Sequence, residues 1–339
     1  MYTFGCGMDG RLGHGIELVA NNQTIPEAIE ALAGEGVVRV GVGPTHGGAA
    51  TADGRLLTWG QHRQGQLGHD CPNGKGVPAQ VEGLPDGAKP VALAFGRQHS
   101  AVALDDGSLW TWGSAREGAL GHGPWRSDTA MNDHGGGAVV ARPRRVEGAL
   151  KGKRVVGVSC GRECTVCVTD KGEVFSFGAD DYGQLGQGKA RRFQNTPKLV
   201  RPLRGKKVTQ VSCGEYHTVA VTEAGEVYSW GVSSEGQTGH GRGRDDTTLP
   251  RQIEALEGVP IASAACGGGH TCLVARDGRV WCCGRGRHGQ LGRDARESVA
   301  AYRNTPVTVE FFAKGGAGAG VRVAQVACGA DHTVALAEK

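Results

Sequence analysis

A six-fold internal repeat governs what this sequence can fold into. One block reads LLTWGQHRQGQLG, LWTWGSAREGALG, VFSFGADDYGQLG and VYSWGVSSEGQTG, and its first glycine falls at Gly5, Gly60, Gly113, Gly178, Gly231 and Gly284. A second block, VSCGEYHTVAVTEAG in one copy, has its key column at Val42, Phe95, Cys160, Cys213, Cys266 and Cys328. In the five uninterrupted copies this column precedes the glycine of the first block by 18 residues. A third mark is a proline followed three residues on by Val or Ile: Pro26/Ile29, Pro78/Val81, Pro143/Val146, Pro197/Val200, Pro250/Ile253 and Pro306/Val309. Residues 1–339 therefore read as one domain of six repeats of about 53 residues, with an insertion at 122–142.

Each repeat predicts four short strands. Within 250–284 they are an edge strand near Arg251–Ile253, then Ile261–Cys266, His270–Ala275 and, after the Asp277-Gly278 turn, Arg279–Cys283. Proline suits an edge strand, where its missing N–H costs no ladder bond. Asp-Gly is a hairpin signal, repeated at Asp53-Gly54 and Asp106-Gly107. Four-stranded sheets at this period predict an all-β fold, a six-bladed β-propeller. Only residues 26–33 look helical, too few for a helical solenoid. Counted from Cys328, Lys339 sits at offset 11 and Met1, counted back from Gly5, at offset 14, so two residues of the repeat are missing. That spacing predicts closure of the ring by pairing of the N- and C-terminal strands, Tyr2–Phe4 beside Thr333–Leu336, which would remove exposed edges.

Composition adds limits. The 59 glycines follow no collagen period and alternate with apolar runs, so they mark turns of a folded chain. A net charge of +4 selects no partner class. No apolar run of about 18 residues occurs, and no membrane is expected. The start MYTFGCGMDG lacks a signal peptide's features, which predicts a cytoplasmic or nuclear protein. Eleven cysteines without such a signal argue against disulfides. The column shared by Cys160, Cys213, Cys266, Cys328, Val42 and Phe95 asks for a buried apolar side chain instead.

The words VYSWG…GQTG and CGEYHT resemble the repeat of the regulator of chromosome condensation family, across essentially the whole chain. The resemblance implies a propeller that works as a binding surface. The family is usually seven-bladed, and this chain has six copies. Its founding member is an exchange factor for the small GTPase Ran that docks on chromatin, a plant relative is a UV-B photoreceptor, and others are modules of ubiquitin ligases and kinases. The photoreceptor carries Gly-Trp-Arg-His-Thr runs. The runs here, Gly96-Arg97-Gln98-His99, Gly214-Glu215-Tyr216-His217 and Gly329-Ala330-Asp331-His332, hold no tryptophan.

Candidate sites follow from departures within the repeat. His46, His99, His217, His270 and His332 share one column, with Cys164 in the sixth copy. One imidazole per blade at a fixed place reads as structural, bonded within the blade, rather than as a convergent metal site. Cys164 and Cys167 form a C-x-x-C in a strand, where they face opposite sides. Gly5-x-Gly7-x-x-Gly10 and Gly284-x-Gly286-x-x-Gly289 match the dinucleotide fingerprint but open no helix. No catalytic residue, metal or cofactor is expected. Trp59, Trp110, Trp112, Trp230 and Trp281 read as core, whereas Trp125 with Arg126 sits in the long insertion and is an interaction candidate. A second insertion, Lys314–Gly320, reads as slack.

Charge is uneven. Residues 189–207 hold eight Lys or Arg and no acid, and residues 142–154 hold six and one Glu, at corresponding places in consecutive repeats. Arg191, Arg192, Lys206 and Lys207 are the loop residues expected to meet DNA, a phosphorylated segment or an acidic protein tail on blades three and four. The expected function is a non-catalytic interaction module for protein or acidic, chromatin-like partners. The alternative is a guanine-nucleotide exchange factor for a Ran-like small GTPase, which needs no reacting residue and would wedge an insertion such as 122–142 against the switch region.

Overall fold

The computed structural model describes residues 1–15, 22–69, 75–124, 138–188, 192–241, 246–293, 302–312, 316, 318 and 320–338. Trp125, Arg126 and Arg191 lie outside the described residues, as do most of the 122–142 insertion and parts of 314–320. Secondary structure among the described residues is β-strand, with three-residue 3-10 turns between strands.

The repeat becomes antiparallel sheets in sequence order. Five are four-stranded. One holds β3 (Val37–Val42), β4 (His46–Thr51), β5 (Leu56–Gly60) and β6 (Lys75–Gln80). The next holds β7 (Pro90–Phe95), β8 (His99–Leu104), β9 (Leu109–Ser114) and β10 (Val139–Arg145). Then come β11 (Val155–Cys160), β12 (Cys164–Thr169), β13 (Val174–Ala179) and β14 (Phe193–Leu199), followed by β15 (Val208–Cys213), β16 (His217–Thr222), β17 (Val227–Gly231) and β18 (Thr247–Gln252). The last holds β19 (Ile261–Cys266), β20 (His270–Ala275), β21 (Val280–Arg285) and β22 (Tyr302–Thr308). Two further sheets are two-stranded: β1 (Tyr2–Gly5) with β2 (Gln23–Ala28), and β23 (Arg322–Cys328) with β24 (Thr333–Glu338). The closing pair expected from the offset count is not among the strand pairs of the described residues. The helix suggested for 26–33 is instead the end of β2 and a 3-10 turn at Glu30–Leu32, because the proline mark belongs to an edge strand in every repeat.

The repeat marks have direct physical causes. Each proline lies in the last strand of its repeat, and Pro78, Pro143, Pro250 and Pro306 fall where the register shifts. A residue without an N–H is tolerated there. The Val or Ile three residues on restores the ladder: Val81, Val146 and Ile253 donate their N–H to Leu56, Leu109 and Val227 carbonyls at 2.8–2.9 Å. The first-block glycine faces the column histidine across the hairpin, as Gly231 faces His217. Gly231 has φ +102°, and a Cβ there would lie 2.4 Å from the Tyr216 carbonyl oxygen, so only glycine fits.

The chain forms two compact units, Met1–Thr165 with Gln194–Pro197, and Val166–Phe193 with Lys198–Lys339. In the first unit, Leu56 and Val81 of one repeat pack on Val102, Leu104 and Trp112 of the next. In the second, Val219, Val221 and Val227 pack on Ile261, Ala264, Cys266 and Leu273. The core thus lies between successive sheets, as propeller blades require. Trp59, Trp112 and Trp230 are wholly buried, and truncating any of them costs about 3–5 kcal/mol. The Phe95, Cys213 and Cys266 members of the apolar column are buried, Cys160 and Cys328 are half-buried, and Val42 is 73% exposed. Phe4, at the column position of Trp230, is 60% exposed. One pair of cysteines departs from the expected absence of disulfides: Cys272 and Cys282, directly opposite on β20 and β21, are bonded.

Candidate interaction surface

The column histidines are held by one repeated network. His46 Nε2 meets Ser100 Oγ at 2.8 Å, His99 meets Thr165 at 3.0 Å, His217 meets Thr271 at 2.9 Å and His270 meets Thr333 at 3.0 Å. Each hydroxyl in turn donates to a turn carbonyl: Ser100 to Gln66, Thr165 to Ala119, Thr271 to Gln237 and Thr333 to Gln290, at 2.7–2.9 Å. A hydroxyl has one proton. Since that proton goes to the carbonyl, the histidine must donate, which fixes the Nε2–H tautomer in all four. The indole N–H groups of Trp112 and Trp230 donate to the Gln66 and Gln184 carbonyls, at 2.9 and 2.8 Å. Burial, assisted by the neighbouring His270, pushes the His217 imidazole down to about 3. Burial, then His99, does the same to His46, also to about 3. These imidazoles are neutral at physiological pH. Cys164, buried in the same column, offers no ring nitrogen, and His332 is exposed.

The basic stretches fare differently residue by residue. Lys206 Nζ meets Glu226 at 3.1 Å and lies 5.5 Å above the Tyr228 ring. Lys207 meets Glu223 at 2.7 Å. The first pair repeats an older theme with its charges exchanged: Glu35 and Arg55, also 20 residues apart, occupy the equivalent places of the first repeat. Complementary charges 20 residues apart at matching repeat positions were the sequence signal for this tie. In the first unit Arg142 is paired with Glu82 at 2.5 Å, and the Arg154 guanidinium donates to the Asp105 carbonyl. In the second unit Arg201 opens the 3-10 turn Arg201–Leu203 and Arg204 follows it, both exposed and with no ion pair among the described residues. Arg192 is also exposed, its carbonyl accepting the Asp180 N–H at 2.9 Å.

Sequence patterning missed an aromatic pair. Tyr182, 43% exposed, and Tyr216 meet edge to face with ring centroids 5.0 Å apart. The two dinucleotide-like glycine motifs are repeat turns, the first of them the 3-10 turn Met8–Gly10. No described helix is long and apolar enough to cross a membrane.

Comparison with known proteins agrees with this architecture. The family model for the RCC1-like domain matches residues 1–339. The E3 ubiquitin-protein ligase HERC2 of Homo sapiens is 34% identical over 99% of this chain, which spans only 6% of that ligase's length. The ultraviolet-B receptor UVR8 of Arabidopsis thaliana is 32% identical over 94% of this chain and 67% of its own. Among solved structures, yeast RCC1 (Prp20) bound to Kap60 superposes with a TM-score of 0.82 at 22% identity, covering 99% of this chain and 76% of that one. Prp20p of Saccharomyces cerevisiae has also been solved in connection with its binding of Gsp1p and histones. The fold is an all-β propeller, and the chain belongs to the RCC1-like domain family.

Proposed function

We propose that this chain is a non-catalytic interaction module, and that its second unit meets an acidic partner at the turn between β14 and β15. The partner class is a protein with an acidic or phosphorylated segment, or DNA, in the cytoplasm or nucleus. One observation carries the reading. Arg201 and Arg204 stand exposed with no ion pair among the described residues, while Lys206, Lys207 and Arg142 are each held by a glutamate. Lys206 and Lys207, favoured by sequence alone, are weaker candidates because Glu226 and Glu223 already neutralise them. Reversing those lysines would break ion pairs as well as remove a binding charge, so the clean variant is Arg201→Glu with Arg204→Glu.

Exchange activity on a Ran-like GTPase is the second reading, favoured by the fold shared with Prp20p and that protein's described binding of Gsp1p. Such activity reports itself as accelerated release of bound guanine nucleotide. An interaction module binds acidic peptide or duplex DNA, loses that binding in the double variant, and leaves nucleotide release unchanged. Acceleration of release, undiminished in the double variant, overturns the proposal in favour of exchange.

A further inference from the structure

Two columns of the repeat break their own rule in one sheet. The residue two before the first-block glycine is a hydroxyl in five repeats: Thr3, Thr58, Thr111, Ser176 and Ser229. Each donates to the carbonyl nine residues on, at 2.5–2.7 Å. In the remaining repeat this place is Cys282. The residue directly across the hairpin is Gly48, Ala101 or Val219 in other sheets, small and apolar, and here it is Cys272. The fold needs a thiol at neither place. Both members of one cross-strand pair are nevertheless cysteine, with Cα atoms 4.3 Å apart, the closeness of a directly opposed antiparallel pair.

A third sulfur and an opening accompany them. The ligand atoms of His270, Cys272 and Cys328 all lie within 4.8 Å of one another. The Thr333 hydroxyl sits between the sulfurs, 3.6 Å from Cys272 Sγ and 3.9 Å from Cys328 Sγ. Cys282 lines a groove of about 410 Å³ together with Gln290, Leu291, Val309, Phe312 and His332. Cys282 is only 1% exposed and Cys272 wholly buried, so a small disulfide in the groove reaches Cys282 through local opening of the groove wall, and Cys272 only through its neighbours.

We propose that Cys272, Cys282 and Cys328 form a thiol–disulfide site that exchanges with low-molecular-weight disulfides of the glutathione class. From the reduced state the Cys282 thiolate attacks the small disulfide, breaking its S–S bond and releasing one thiolate. The Cys272 thiolate then attacks the Cys282 sulfur and releases the second. The small disulfide is reduced by two electrons, the cysteine pair is oxidised by two, and the two protons given up by the protein leave on the two small thiols. Cys328 provides an internal branch, in which its thiolate attacks the Cys272 sulfur and Cys282 departs as thiolate and takes up the proton. Disulfides in reducing compartments act as redox-responsive sites. Burial pushes the Cys328 thiol up to about 11, so the branch slows at neutral pH and quickens as pH rises.

The test equilibrates the full chain in glutathione buffers from reducing to oxidising, quenches in acid, denatures, alkylates and maps the peptides by mass spectrometry. Cys272 and Cys282 should lose alkylation together in one two-electron transition. In Cys282→Thr, which restores the hydroxyl carried by Thr58 and Thr111, oxidation should give the Cys272–Cys328 bond. In Cys272→Val, the residue of the Val219 position, Cys282 should be trapped as its mixed disulfide with glutathione while Cys328 stays alkylatable. Free thiols at Cys272 and Cys282 under oxidising buffer would overturn the proposal. So would protection that tracks stoichiometric zinc and disappears with a chelator, because the His270, Cys272 and Cys328 group would then be a metal site.

Discussion

Acid should destabilise this protein through its buried histidines, and His217 makes the effect measurable one residue at a time. In the folded chain burial first, and His270 second, hold its imidazole down at about 3, against 6.5 for the free side chain. The folded value lies below the unfolded one, so the unfolded chain binds a proton first as pH falls. The contribution is complete above about pH 7, drains as pH drops through 6.5 and ends near the folded value. Integrated from pH 7.5 to pH 5, the loss is about 2 kcal/mol for this one residue. His217→Gln keeps an N–H that can reach Thr271 Oγ1 but does not titrate. Denaturant unfolding at the two pH values should show the parent losing about 2 kcal/mol more than the Gln variant between them. His217→Ala, which removes the donor, should cost about 1–3 kcal/mol at pH 7.5, with no change in metal content. Equal pH dependence of parent and Gln variant would refute the neutral, buried donor. Stoichiometric zinc lost on substitution would refute the structural role altogether.

Other consequences are as direct. Deleting residues 1–15 removes β1 and the Arg11 carbonyl that accepts the Trp59 indole N–H at 3.0 Å, so the melting temperature should fall. A truncated chain that melts with the parent would show that this end of the chain holds nothing. Lys206→Glu should cost about 0.2–1 kcal/mol, and adding Glu226→Lys should recover it, because Glu35 and Arg55 already carry that polarity. A double variant no better than the sum of its singles would contradict the tie. Burial raises the Cys167 and Cys283 thiols to about 12, so at pH 8 a thiol reagent should label the exposed Cys6 long before either. Fast labelling of Cys167 in the folded chain would contradict its burial.

The strands were legible where local rules decide them. Ile261–Cys266 and His270–Ala275 match the sequence reading at both ends, joined by the short 267–269 connection, whereas the strand after the Asp277-Gly278 turn, read as Arg279–Cys283, runs Val280–Arg285. The histidine column was legible as one ring per repeat at a constant place, and four of those rings meet a hydroxyl of the next repeat. The partner hydroxyl was not legible. The Thr271 hydroxyl that His217 meets is 54 residues away, in the next repeat, and no local pattern names it. Charge was the hardest to read. A run such as Lys206-Lys207 looks like a patch until the hairpin brings Glu226 and Glu223 beside it. The cysteine pair escaped because the expectation against disulfides was argued from compartment and not from which columns face each other across a hairpin.

On the proposed reading, exposed cations of the second unit, and no interior group, bind the partner. The most direct measurement is fluorescence anisotropy of a labelled DNA duplex and a labelled acidic peptide, titrated with parent and with the Arg201→Glu, Arg204→Glu variant at 50 and 200 mM salt. With Arg201 and Arg204 each neutralising one phosphate, the affinity of the parent for DNA should fall about 12-fold over that salt range, with little sequence preference. The variant should bind neither probe and keep the parent melting temperature, since exposed charge changes cost little. Equal binding by both proteins at both salts would contradict the claim and leave the partner to the surface around Tyr182 and Tyr216.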